Sequence, residues 1–157
     1  MTAESEQTTT PRRWFGTAAA LVALLGLADS VYLAVHHYTA EPVPCSIVEG
    51  CETVLTSWYA EVYGIPLALF GAAAYFVAFS LAVLAIYDNH TAWKLFGVQS
   101  VLMAGFSLWL LYVQGMVIGA FCQFCLLSAA TSISLFLIFA ISYFVRRASR
   151  SETIRRH

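Results

Sequence analysis

Long apolar runs separated by short polar segments set the layout of this chain. Four of them, Trp14–Val35, Gly64–Tyr87, Trp93–Gln114 and Cys122–Val145, stand out. Each is long enough to cross a hydrocarbon core of about 30 Å at about 1.5 Å per residue. None carries more than one or two ionisable groups, and too few other residues remain to bury four such helices in a soluble core. Composition agrees, at 60% hydrophobic and 11% charged residues. The expected fold class is an all-α integral membrane protein, a four-transmembrane-helix bundle.

The segments between the runs are expected to divide the chain into a polar N-terminus (1–13), a membrane domain (14–145) and a basic tail (146–157). Met1–Pro11 is polar and contains Glu4 and Glu6, and the run after it is too long for the apolar core of a signal peptide, so the first helix is expected to remain in the mature protein. All eight basic residues fall in three places: Arg12 and Arg13, Lys94, and Arg146, Arg147, Arg150, Arg155 and Arg156. The loop over about 36–63 has no Lys or Arg and carries Glu41, Glu49, Glu52 and Glu61. The positive-inside rule then places both termini in the cytoplasm and that loop outside, as an even number of spans requires. The expected location is the cytoplasmic (inner) membrane. The basic tail serves as a topology anchor, and no nucleic-acid partner is expected.

The outer loop is the only sizeable extramembrane segment. Pro42 and Pro44 make an extended lead into Cys45, and Gly50 allows a turn before Cys51. Val54, Leu55 and Trp58 fall on one face of a short helix over Glu52–Ala60, which suits an interfacial helix on the bundle mouth beside Tyr59 and Tyr63. Gly64-Ile65-Pro66 is expected to open the second span, with proline tolerated in a first turn. Gly71-Ala72-Ala73-Ala74 supplies small residues for close helix packing. In the first span, Asp29 is a carboxylate at a costly depth, which marks either a polar partner or proton path, or reach to interfacial water.

The chemistry of the chain lies in four cysteines. Cys122-Gln123-Phe124-Cys125 is a C-x-x-C at the outer start of the fourth span, where unpaired N–H groups and the helix dipole stabilise a thiolate. Cys45 and Cys51 enclose five residues in the loop on the same side. A structural loop disulfide and a four-cysteine zinc site are the alternatives to a thiol relay. The loose spacing, and the tendency of paired outside thiols to oxidise, weigh against zinc. Two dithiol pairs at one membrane face favour electron transfer.

These motifs in combination resemble the vitamin K epoxide reductase family in its prokaryotic form. The resemblance rests on Cys45…Cys51-Glu-Thr-Val-Leu-Thr-Ser57, Tyr63-Gly64-Ile65-Pro66, Cys122-Gln-Phe-Cys125 and Gly26-Leu-Ala-Asp-Ser30-Val-Tyr32, and covers about Trp14 to Val145. It implies a four-helix bundle around a quinone pocket, with ubiquinone, menaquinone or a vitamin K-type molecule as acceptor. Cys125 would react with the quinone and Cys122 would resolve. Cys51 would meet an outside redox protein and Cys45 would pass electrons to Cys122. Ser57 would hydrogen-bond a quinone carbonyl. Such a pocket should be mostly apolar with a few donors, and Phe70, Tyr75, Phe106, Tyr112 and Phe124 are available to line it.

Two departures from the vertebrate members, Ala129 in place of a tyrosine and Leu67 in place of an asparagine, favour quinone reduction over epoxide reduction. Because His157 ends the sequence without a fused thioredoxin-like domain, the expected partner is a separate extracytoplasmic thioredoxin-like or DsbA-like protein. The expected function is thus a membrane thiol oxidoreductase passing electrons from that partner to a membrane quinone. The alternatives are a DsbB-type oxidase, whose C-x-x-C precedes the loop pair, and a tetraspan scaffold with structural disulfides.

Overall fold

A computed structural model describes residues 9–39, 43, 50–87 and 89–155. Cys45, and the proline lead before it apart from Val43, lie outside the described residues. Among the described residues the α-helices are α1 (Thr9–Thr39), α2 (Cys51–Leu55), α3 (Leu67–Ile86), α4 (His90–Tyr112) and α5 (Gln123–Arg155). Among the described residues, four helices have the length and apolar character of membrane spans, over Arg13–Thr39, Leu67–Ile86, His90–Ile118 and Gln123–Ser149. The third of these continues from α4 through a wider π-helical turn at Val113–Ile118, closed by Gly119 in the left-handed region (φ 71°).

The helices form a ring in which α1 packs on α3 and α5, and α4 on α3 and α5. Ala19 and Ala23 of α1 and Ala78, Ala82 and Ala85 of α3 are fully buried. Lipid tails are as apolar as leucine, so membrane helices gain from close backbone approach and small residues serve it best. The expected stretch Gly71–Ala74 takes part, since Ala72 is buried and a Cβ at Gly71 would lie 3.1 Å from Ser30 Oγ, and the approach continues along α3 to Ala85. Leu24, Leu25, Phe76, Val98 and Leu137 point outward and are exposed, which in water would be a liability and in lipid is the ordinary state. Trp14 and Tyr87 stand exposed at one end of the bundle and Trp58 and Tyr63 at the other, like the paired aromatic belts of a membrane protein.

Two local expectations are corrected. The loop helix does not run to Ala60. α2 stops at Leu55, Ser57 is extended (ψ 155°), and Trp58–Ala60 forms a separate 3-10 turn. The Thr56 hydroxyl donates to the Glu52 carbonyl at 2.7 Å, and Ser57 Oγ to the Val54 carbonyl at 2.6 Å. The Glu52 carbonyl still accepts the Thr56 N–H, but the Val54 carbonyl, which a helical Trp58 N–H would need, is taken by the Ser57 N–H at 3.2 Å and by its hydroxyl. Val54 is buried but Trp58 is 92% exposed, so they do not share an inner face. Nor does the second span begin at Gly64. Glu61–Val62 (β1) pairs antiparallel with Ile65–Pro66 (β2). Tyr63 and Gly64, both at positive φ (53° and 78°), make the two-residue turn between them. Pro66 then caps α3 in an extended conformation.

Candidate functional site: a dithiol at the mouth of an apolar cavity

The connection from α4 to α5 is held by one buried side chain. The Gln114 carbonyl accepts the Ala120 N–H at 3.2 Å, while Gln114 Oε1 accepts the Cys122 N–H at 3.1 Å. The Cys122 carbonyl in turn accepts the Leu126 N–H at 2.9 Å. Cys122 therefore sits at the N-cap of α5 with Cys125 in the first turn, the geometry in which helix N–H groups point at a capping atom.

Both cysteines are free thiols, Cys122 fully buried and Cys125 partly so. Cys122 is pulled down from the usual thiol value to about 7, chiefly because the Cys125 thiol hydrogen-bonds it. The backbone N–H groups of Cys125 and Phe124 add to this, while burial and the Asp29 carboxylate oppose it. A thiol with that value is substantially thiolate at neutral pH, the reactive form in disulfide exchange.

Cys51 is held in a disulfide whose partner lies outside the described residues. Only 1% exposed, it shares a buried cluster with Val54 and Cys122, edged by Ile118, Ala120 and Phe124. Gly50 explains the approach. A Cβ there would lie 2.5 Å from the Phe121 carbonyl oxygen and 3.2 Å from the Ala120 Cβ. The glycine is thus required by close contact with the α4–α5 connection rather than by a turn, since its φ of −134° suits any residue. Cys51 is accordingly not presented to solvent, as a residue meeting an outside protein would be.

Beneath the thiols lies a cavity of about 560 Å³, within the usual size of ligand sites. Its walls are mostly apolar, and Cys125, Ser57, Gln114, Ser128 and Ser132 are among the few polar contributors. Phe70, Tyr75 and Phe106 line it as expected, while Tyr112 and Phe124 do not. Instead Tyr112 is exposed, and Phe124 packs on Tyr32 of α1 with ring centroids 5.3 Å apart. Ser57 lies in the wall with its proton donated to Val54, which leaves its oxygen as an acceptor.

Three features were not anticipated from the sequence. Tyr75, 1% exposed, donates its phenol proton to the Ser128 carbonyl at 2.6 Å. Its oxygen also lies 2.7 and 2.8 Å from the Thr131 and Ser132 hydroxyls. Gly26 of α1 leaves the space that the Tyr75 ring fills. His37, another lining residue, pairs with Glu61 at 3.4 Å and ties α1 to β1 at the mouth. Gln114 is the third. A signal for the first exists in the spacing of Ser128, Thr131 and Ser132 at i, i+3 and i+4, one face of a helix.

Together, the membrane-length helices and the dithiol between a disulfide-bonded loop and an apolar cavity define a multi-pass membrane protein of α-helical bundle type. The sequence model of the vitamin K epoxide reductase family matches residues 17–140, and the chain belongs to that family, a family of oxidoreductases. It is also 33% identical over 122 residues to the Arabidopsis thaliana protein named thiol-disulfide oxidoreductase LTO1. That match covers 71% of this chain and 32% of the relative, so the chain spans about a third of the relative's length.

Proposed function

We propose that the chain is a membrane thiol-disulfide oxidoreductase that passes electrons from an extracytoplasmic thioredoxin-like or DsbA-like dithiol protein, through two cysteine pairs, to a membrane quinone. The observation that carries this is the position of the free Cys122–Cys125 dithiol, with Cys122 packed against loop Cys51 and Cys125 in the wall of the cavity. A tetraspan scaffold has no use for a buried free dithiol opening onto an apolar cavity. The proposed setting is the cytoplasmic membrane with the thiol end outside, as the distribution of basic residues favours.

The cavity suits a quinone, being apolar in its walls with a few polar groups and one reactive sulfur. When bound there, a quinone supplies a two-electron, two-proton sink. On this reading Cys125 is the thiol nearest the sink, Cys122 the exchange partner of the loop, and Ser57 a polar contact at the mouth. The burial of Cys51 beside Cys122 favours an order in which the outside dithiol attacks Cys45. The Cys51 thiolate is then released onto the Cys122 side, the reverse of the order implied by the family resemblance. Direction follows reduction potentials, about 30 mV being equivalent to 1.4 kcal/mol for two electrons.

The test uses purified chain in liposomes with a small dithiol and a short-chain ubiquinone or menaquinone. Loss of quinone absorbance is expected, and none with Cys125→Ser. Equal rates in the two proteins would refute the reading.

A further inference from the structure

Asp29 is the one acidic residue in the four spans, and nothing in the relay above uses it. It is 7% exposed, and neither carboxyl oxygen has a hydrogen-bond partner. Among the described residues no cation stands ready to compensate it. α3 contains no charged residue, α4 has only His90 and Lys94 near its start, and α5 has none before Arg146, far from the thiols. The other titratable groups brought near this level are Cys122 and Cys125 from the start of α5 and Tyr75 from α3, with His36 and His37 higher on α1 itself.

Its position on α1 is specific. Ser30 and Leu33 line the cavity, while Tyr32 packs on Phe124 between the two cysteines. By helical geometry Asp29 lies between those two faces, one turn deeper than Tyr32 and Leu33. Asp29 is not itself in the cavity wall, but Ser30 beside it is, and the charge of the Asp29 carboxylate is felt at Cys122. Buried ionisable groups within membrane spans are costly and are characteristic of proton paths.

We propose that Asp29 is the proton carrier between the Cys122–Cys125 dithiol and the acceptor in the cavity. This rests on the reading above. From the fully protonated dithiol, closing the disulfide breaks two S–H bonds and forms one S–S bond. Where Cys122 is already thiolate, only the Cys125 S–H bond breaks and the second proton comes from solvent. A quinone acceptor takes two electrons and two protons, one proton on each oxygen. The carboxylate accepts each thiol proton in turn, releases it towards the cavity, and ends unprotonated as it began. Exchange between the loop pair and Cys122–Cys125 needs no such carrier, because one thiolate simply replaces another.

The experiment compares wild type, Asp29→Asn and Asp29→Glu in two measurements. The first is single-turnover reduction of a short-chain ubiquinone by pre-reduced protein. Asp29→Asn should slow it roughly a hundredfold, the low end of general acid–base contributions, and Asp29→Glu should recover most of the rate. At a pH well above 7, where Cys122 is thiolate in all three proteins, disulfide exchange with a small dithiol should be unchanged.

The second measurement needs no quinone. It is the infrared difference spectrum between the dithiol and disulfide states, which should contain a carboxyl signal that Asp29→Asn removes. The Cys122 S–H band should also titrate at lower pH in that variant, because a negative charge beside the thiolate is gone. Full turnover in Asp29→Asn, or identical difference spectra, would overturn the proton role alone. A wild-type chain that reduces no quinone would overturn the functional reading and the proton role with it.

Discussion

Around Ala82, Phe96 and Leu135 the bundle is closed, with all three fully buried, whereas around Tyr75, Gln114 and Cys125 it holds a cavity edged with polar groups. At the closed end alanines bring α1 against α3, and Trp93 stacks on Phe96 with ring centroids 5.1 Å apart. At the open end the same helices carry Ser30, Ser128 and Ser132 at cavity positions, and Gln114 is used to fix a backbone N–H rather than to fill space. The contrast shows a division of labour along single helices: one half holds the bundle together so that the other can keep a space open beside a thiol. Open space in a membrane protein forfeits packing contacts, so its retention beside the free Cys122–Cys125 thiols points to use.

The largest effect is expected at the junction of loop and bundle. Gly50→Val would push α2 away from Phe121. Electron transfer from a protein dithiol should fall at least about tenfold, the cost of lost proximity, while a small dithiol continues to reduce Cys122–Cys125. Stopped-flow measurement with both donors checks it. At the closed end, Gly97→Leu would meet the Phe139 ring and should lower stability by about 1–3 kcal/mol through overpacking. That loss is read from thermal unfolding in detergent, with activity per folded molecule unchanged. If the two substitutions gave the same pattern, the division between the ends would be lost.

Within the open end, Gln114→Leu leaves the buried Cys122 N–H without its acceptor, a cost of about 1–3 kcal/mol. Disulfide exchange should slow about tenfold in rapid-mixing experiments. Tyr75→Phe removes a neutral hydrogen-bonding hydroxyl worth about 0.5–1.5 kcal/mol, so acceptor turnover should fall about two- to tenfold. The pH dependence of exchange sharpens the site further. With Cys122 lowered to about 7, alkylation or exchange at this thiol should rise as pH increases through 7 and level off above it, because only the thiolate attacks. A free thiol with the ordinary value would still be rising there.

The four spans were legible because apolar length alone decides them, and the Cys122–Cys125 dithiol at a helix start because C-x-x-C spacing survives any detail of packing. The ends of elements were less so. Pro66 reads equally as a first helical turn or as the cap it is, and only the pairing of Val62 with Ile65 decides between them. Ser57 ends the loop helix by turning both its N–H and its hydroxyl onto the Val54 carbonyl, bonds that hydrophobic spacing does not register. Tyr112 and Phe124 were expected in the cavity wall on residue type, but the rotation of each helix decides which face turns inward. Gln114 looked like the polar end of a span, since its partner, the N–H of Cys122, exists as an acceptor's target only once α5 has started there.

The measurement closest to the central claim, that electrons pass from the loop pair to Cys122–Cys125 and then to a quinone, uses Cys45→Ser, Cys51→Ser and Cys125→Ser with two donors. With a thioredoxin-like protein as donor, all three variants should fail to reduce the quinone. With a small dithiol that reaches Cys122–Cys125 directly, the two loop variants should retain turnover and Cys125→Ser should not. Loop variants that are folded yet inactive with the small dithiol, or a Cys125→Ser that still reduces quinone, would contradict the relay.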